Sequence, residues 1–249
     1  IMKIIISPAK KMNIDTESGI SPTEPVFVKK AEALHGILSK MSYDELKSLW
    51  MCSDSIAAPC AETLKKGFRP SPLTPAIFAY DGIQYKYMAP AVFSDRELEY
   101  IGEHLVILSG FYGALRAFDG VTPYRLEMQA KPVGDFKSLY DFWGSDIYGA
   151  VHEDGETIVD LASKEYSRAV LPYCQKGEYI TCLFCEEKGG KLREKGTLCK
   201  MARGSMVRFM AENGIKSPEG IKDFTGLGFS FSEELSGEEK YVFVKKADK

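Results

Sequence analysis

Cysteine is scarce, with six in 249 residues, far below the density at which disulfides take over from a hydrophobic core. Four of them, Cys52, Cys60, Cys182 and Cys199, stand among apolar neighbours, so the thiols are read as reduced. Histidine is scarcer still. His35, His104 and His152 are the only three, dispersed along the chain, which leaves little from which to build a His-based metal centre. No apolar run nears the ~18–20 residues of a membrane span, and Ile4-Ile5-Ile6 is too short for the core of a signal peptide. The expectation is therefore a cytoplasmic protein with no membrane partner, whose native start is Met2 rather than Ile1. An excess of one charge is missing too. Thirty-two basic residues face thirty-five acidic ones, a net charge of −3, so any site for nucleic acid has to be local. Glycine-rich phosphate loops, the His-Glu-x-x-His helix and the Gly-x-Ser-x-Gly elbow are all absent.

What remains is ordinary globular composition, 45% apolar and 27% charged, which excludes collagen, coiled-coil arrays and disorder. There is no internal repeat and no linker, so a single domain over residues 1–249 is expected, long enough to bury roughly 70–75% of its unfolded surface.

Hydrophobic spacing supplies the elements. Residues 2–6, 105–108 and 157–161 are β-branched or apolar runs ended by turn residues, the pattern of buried strands. Helical spacing covers 28–40, 137–152 and 199–213, with short helices at 163–170 and 217–223. Ser42-Tyr-Asp-Glu45 is a capping box that opens another helix through Leu46, Leu49 and Trp50. Residues 76–80 read as a short strand after the prolines at 70, 72 and 75. Lys188-Gly-Gly190 joins 179–185 to a strand around 191–198, and a last hairpin pairs 228–231 with 241–244. Strands and helices alternate irregularly, which predicts a mixed α/β, or α+β, sheet rather than a regular doubly wound one.

Four groups of residues are candidates for chemistry. Ser7-Pro-Ala-Lys10 matches a Ser-x-x-Lys nucleophile pattern, although the Ser-Asp-Asn and Lys-Thr-Gly partners of that chemistry are missing. A lysine at the end of a first strand is also well placed to hold an anion. The segment 109–128 packs glycines, Arg116, Asp119, Tyr124, Arg125 and Glu127 into twenty positions, dense in turns and charge for a mere connection. If 124–128 is a strand, Arg125 and Glu127 share one face. Their bland reading is an ion pair that pins a loop. From Lys188 to Arg208 seven basic residues meet one acid, a local balance of +6, suited to phosphate contacts or simply a solvated helix face. Cys182-Leu-Phe-Cys185 has zinc-ribbon spacing, yet no second pair follows, and a buried strand face explains it.

Taken together, Ile4-Ile-Ile-Ser-Pro-Ala-Lys10, Leu108-Ser-Gly-Phe-Tyr-Gly-Ala-Leu-Arg116, Pro123-Tyr-Arg-Leu-Glu-Met128, Leu139-Tyr-Asp-Phe-Trp-Gly144, Leu161-Ala-Ser-Lys-Glu-Tyr166 and Ala202-Arg-Gly-Ser-Met-Val-Arg-Phe209 resemble the YaaA family of bacterial peroxide-stress proteins. The blocks are colinear over nearly the whole chain. The resemblance implies the YaaA-type fold, with a curved mixed sheet packed by helices and a helix-hairpin-helix element, placed in either 29–66 or 199–223. It also implies a positively charged cleft for double-stranded DNA and a role in limiting iron-dependent oxidative damage. Residues in matching blocks with suitable chemistry are Ser7, Lys10, Arg116, Tyr124, Arg125, Lys164, Arg203 and Arg208. The basic ones would hold phosphates, and Tyr124 or Trp143 could stack on a base, although core packing is the expected use of Trp143 and Phe142. The alternative is an enzyme acting on a nucleotide, a nucleic-acid base or a phosphate ester in the same cleft, with Asp119, Glu127, Asp141 and Glu165 as its carboxylates. Direct iron sequestration fits poorly, since dispersed histidines and no Glu-x-x-His make no iron site. No cofactor, metal or obligate protein partner is expected.

Overall fold

The first strand, β1 (Met2–Ile6), is the centre about which the protein is built. The computed structural model describes residues 2–15, 17–152 and 155–246; Ile1, and with it the expectation about the native start, lies outside them. β1 is buried on both faces, as its unbroken Ile run requires of a strand with parallel neighbours. A two-residue strand β2 (Lys11–Met12) follows, then α1 (Val28–Leu38), α2 (Tyr43–Trp50) and α3 (Asp54–Lys65). The capping box read at Ser42 and Glu45 is formed, each residue's side chain meeting the other's backbone N–H.

Residues 74–104 hold β3 (Thr74–Pro75), α4 (Ala76–Ala79), β4 (Tyr80–Asp81), α5 (Ile83–Met88) and α6 (Asp95–His104). The strand expected at 76–80 is a single helical turn between two short strands. Pro75, with φ −55°, precedes it, and an alanine-rich Ala-Ile-Phe-Ala lacks the β-branching that would hold an extended form. The chain then gives β5 (Leu105–Ser109), β6 (Gly113–Arg116) and β7 (Gly120–Val121). The segment 124–128 is irregular rather than a strand. It lies so close to Gly110 that a Cβ there would sit 2.6 Å from the Leu126 carbonyl oxygen.

The expected single helix at 137–152 is two, α7 (Leu139–Trp143) and α8 (Asp146–Val151), broken at Gly144, whose φ of +52° no helix continues. After β8 (Thr157–Asp160) and α9 (Lys164–Ser167) come β9 (Tyr179–Lys188) and β10 (Lys191–Arg193). Gly189 and Gly190 both have positive φ, the requirement of a tight hairpin turn. β10 stops well short of 198 because α10 (Gly196–Asn213) has already begun; β11 (Ser230–Phe231) and β12 (Lys240–Lys246) close the chain.

The main sheet runs β11-β12-β9-β8-β1-β5-β6, with β10 appended to β9. Its five inner strands are parallel, in register Ile4 with Leu105 and Val159, and its two edge strands are antiparallel. The protein is thus a mixed α/β fold with helices packed on a large mixed sheet. From β1 the chain reaches β5 on one side, while β8 lies on the other. The order of strands therefore reverses at β1, and in open α/β sheets the crevice beyond the carboxyl ends at such a point is where ligands bind.

Candidate functional site

Ser7 follows the last residue of β1, and Ser163 lies just beyond β8. The Ser163 backbone N–H donates to Ser7 Oγ at 2.8 Å, and that hydroxyl donates to Ser163 Oγ at 3.2 Å. The Ser7 carbonyl accepts from Gln84 Nε2 and from the Tyr85 hydroxyl on α5. Two strand ends and a helix are thus tied into one floor. Beneath it Asp160 is buried, held by the Ala162 N–H and by the hydroxyls of Ser167 and Thr181. Burial pushes its carboxyl above the usual range, against the pull of those donors and of Arg203.

One wall comes from α10. Gly204 faces α5 so closely that a Cβ would stand 2.0 Å from the Gln84 carbonyl oxygen; only glycine lets the two helices meet there. This contact sets Arg203 beside the floor, and Lys200, one turn earlier, lies near it. The Arg203 Nε–H is buried with no acceptor in the protein.

The opposite wall is the segment 124–128. Ser109 Oγ at the end of β5 accepts two backbone N–H bonds, from Phe111 and Tyr112. With those lone pairs in use, Ser109 donates to the Tyr124 hydroxyl at 2.6 Å, and Tyr124 in turn donates to Tyr80 at 2.8 Å. Burial raises all the phenols here, Tyr80, Tyr85 and Tyr124, so they stay neutral. Next along the segment, Arg125 and Lys10 both reach Glu127, at 3.4 and 3.0 Å. Glu165 accepts from the Gln129 N–H, and its pKa is raised, chiefly by burial and further by the charge on Glu127. The Arg125 Nε–H, like that of Arg203, is buried and unpartnered.

These parts enclose a cavity of about 400 Å³. Its lining carries five basic residues, Lys10, Lys11, Arg125, Lys200 and Arg203, against three acids, Asp81, Glu127 and Glu165. Behind it a chamber of about 30 Å³ is lined by Trp50, Arg69, Phe111, Tyr124 and Arg125 among others.

Of the residues singled out in the sequence, Ser7, Lys10, Tyr124, Arg125 and Arg203 line the one cavity. Lys164 is exposed and sits between Ser163 and Glu165, both of which line it. Arg116 and Arg208 do not line it. Arg116 is bound to buried Asp119 at 2.8 Å and to the Glu24 carbonyl, while Arg208 pairs with Glu212 along its own helix. Trp143 is buried beside Gly113 with its indole N–H on the Gly110 carbonyl, so it presents no stacking face. Tyr124 has its ring stacked on Phe111, centroids 5.0 Å apart, which spends one face in the wall. Ser7 and Lys10 form no nucleophilic dyad, since Lys10 turns to Glu127 and Ser7 to Ser163. Cys182 and Cys185 are buried free thiols on β9, pointing to opposite faces of the strand, and no group of three His, Cys, Asp or Glu side chains is placed to hold a metal among the described residues. No helix described is long and apolar enough to cross a membrane.

Among the lining residues that sequence reasoning missed, besides Lys11, Ser163 and Tyr166, are Asp81, Gln84 and Tyr85. Their block, Asp81 to Met88, holds aromatic and apolar residues in no clear period, and only the Asp81-Gly82 turn hinted at a new element.

Comparison with known proteins covers nearly the whole chain. The family described as peroxide stress protein YaaA matches residues 2–235. A UPF0246 protein of Agathobacter rectalis is 51% identical over 248 residues, 98% of this chain and 99% of its own. One from Desulfitobacterium hafniense is 52% identical over 247 residues, 98% of each chain. A third, from Pediococcus pentosaceus, is 47% identical over 246 residues, again 98% of each.

Proposed function

The chain belongs to the YaaA family of peroxide stress proteins, and from that premise we propose that it serves the cell, in the cytoplasm, by binding double-stranded DNA along the mouth of this cleft. One observation carries the reading: Lys10, Arg125, Lys200 and Arg203, from three distant stretches of sequence, line the same cavity, with exposed Lys164 beside it. Phosphate oxygens are the ligands such a cluster suits. The helix-hairpin-helix belongs, on this reading, to α10, the left-handed turn at Gly214 and the 3-10 helix at 218–223, immediately after the cationic wall.

Protection from iron follows from the same electrostatics. Iron(II) is drawn to the phosphates as any counterion is, and a protein that neutralises phosphates displaces counterions from them. DNA covered in this way carries less iron where peroxide would react.

Duplex affinity measured by fluorescence anisotropy over rising salt tests the proposal. Affinity should fall as salt rises, and Lys200→Ala and Arg203→Ala should each flatten the slope by about one unit, the loss of one phosphate contact. Arg208→Ala, outside the cavity, should change it much less. Binding that ignores salt, or that neither variant weakens, would overturn the reading.

A second reading, an enzyme acting on a nucleotide or base, draws support from Glu127 and Glu165, two lining carboxylates of which Glu165 has its pKa raised, chiefly by burial and further by the charge on Glu127. Such a pair supplies an acid and a base. Incubation with damaged duplexes and labelled nucleosides tests it, and no product would remove it.

A further inference from the structure

The size of the cavity and the size of a duplex do not match. A volume of about 400 Å³ equals a sphere roughly 9 Å across, narrower than the ~12 Å major groove alone. Duplex can lie across the mouth but cannot enter. The volume falls instead in the range of small-molecule sites, about 300–1,000 Å³.

The charges of the lining are also unequally engaged. At the α10 end Lys200 and Arg203 take part in no salt bridge among the described residues, and Arg203 keeps a buried N–H without an acceptor. Asp160, which feels the charge of Arg203, has its oxygens occupied by Ala162, Ser167 and Thr181. No ion pair among the described residues engages the cations of that end. At the other end Glu127 is held by Lys10 and Arg125, and Glu165 lies within its field. Carboxylates accept hydrogen bonds, so this end suits hydroxyl and amino donors. Gln84, Tyr85 and Tyr166 also line the cavity, an amide and two aromatic rings.

We infer that the cavity takes one nucleotide unit, with its phosphate between Lys200 and Arg203 and its sugar or base toward Glu127 and Glu165. A nucleoside monophosphate has that layout, anionic at one end and rich in donors at the other. The unit has two possible sources. It is a free mononucleotide, or a nucleotide extruded from a strand bound across the mouth at the cost of its stacking. The second source rests on the DNA reading; the first does not.

Calorimetric titration with the four ribonucleoside and four deoxyribonucleoside 5′-monophosphates addresses the free source, with inorganic phosphate alone and the parent nucleosides as fragments. Saturable binding of a monophosphate is expected, tighter than either fragment. Arg203→Ala should weaken it at least tenfold, the lower bound for a lost charge-assisted hydrogen bond. Exposed Lys200→Ala should weaken it without any risk to folding. Glu165→Gln should alter discrimination among bases, over and above the small gain for every anion, inorganic phosphate included, that loss of its charge brings. The extruded source is read by 2-aminopurine placed in a duplex, whose emission rises when it leaves the stack. A rise on binding that Lys200→Ala or Arg203→Ala abolishes supports this source. Absence of both signals overturns the inference, and if duplex still binds in a salt-dependent way, the DNA reading stands while the nucleotide site falls.

Discussion

Gly204→Ala discriminates between two opposite expectations. Helix propensity alone favours the change, since alanine in a helix interior is better than glycine by about 1 kcal/mol. The added methyl, however, would stand 2.0 Å from the Gln84 carbonyl oxygen, 2.9 Å from its carbon and 3.0 Å from the Met88 nitrogen. These are backbone atoms of α5, which cannot swing aside as a side-chain tip can. Restoring ordinary contact at about 3.4 Å requires the helices to part by about 1.4 Å, a deformation of the overpacking kind that costs typically 1–3 kcal/mol and sometimes more. A clash this deep belongs at the top of that range. Subtracting the propensity gain leaves a net loss of about 2 kcal/mol, or roughly 4–8 °C in Tm for a chain of this size. Urea and thermal denaturation measure it directly. The same shift moves Lys200 and Arg203 away from the floor at Ser7, so anion binding should fall at temperatures where the variant is fully folded. A variant as stable as the parent, or more so, would refute the close approach of α10 to α5, and with it the placement of the cationic wall.

Arg116→Ala should cost stability and leave ligand binding alone. It strips the guanidinium from Asp119, whose side chain is fully buried, leaving that carboxylate only the Thr23 hydroxyl and the Arg116 backbone N–H; the expected loss is about 1–3 kcal/mol, and a loss of affinity at unchanged stability would be the contrary result. Glu165 predicts a pH dependence. Its raised pKa means that it gains a proton above the usual carboxylate range as pH falls, which removes a negative charge from the cavity, so anion affinity should rise as the solution is acidified from neutrality. Glu165→Gln should flatten that rise, and an unchanged profile in the variant would show that another group is responsible. The small chamber behind the cavity is lined by Trp50, Arg69 and Arg125, each with a buried N–H that has no acceptor in the protein. Its volume of about 30 Å³ exceeds the ~10–15 Å³ that one water needs, so a high-resolution crystal structure should show ordered water against those nitrogens; a dry chamber would mean that the three side chains are arranged otherwise.

The sequence was legible where one local cause decides the outcome. β1, β5 and β8 announce themselves as apolar runs because strands buried on both faces need them, and the box at Ser42 and Glu45 is written in four residues. Where a glycine or a proline competes with periodicity, the reading failed. Helical spacing runs unbroken through 137–152, yet Gly144 breaks the backbone in two. Residues 124–128 alternate like a strand, but their neighbour is the bare backbone at Gly110 rather than another ladder. For the candidate site, residue chemistry identified cations without saying which were already engaged. Arg116 and Arg203 look alike in sequence. Asp119, three residues from the first, neutralises it, whereas nothing near the second in sequence reveals that it enters no ion pair among the described residues and keeps a buried N–H without an acceptor. The +6 segment likewise divides, with Lys200 and Arg203 facing inward and Arg208 tied to Glu212.

Carboxylates inside an anion-binding cavity need a reason of their own. If attraction to phosphate were all that mattered, Glu127 and Glu165 would be a defect, since each repels the ligand that the five basic residues attract. Their effect depends on where the ligand's charge lies. A ligand anionic along its whole length, such as a polyphosphate, would set charge against both carboxylates, and juxtaposed like charges cost several kcal/mol. A ligand anionic at one end avoids that cost and gains acceptors for its donors at the other. Specificity by repulsion is as real as specificity by attraction. Lys10 and Arg125 then have a second task beside any contact with phosphate, because they hold Glu127 in place. Removing Glu127 should accordingly loosen selectivity rather than simply tighten binding: Glu127→Gln should gain affinity for tripolyphosphate by a larger factor than for a mononucleotide. Equal gains for the two would show that the acids shape no preference and that the cavity is an undiscriminating anion trap.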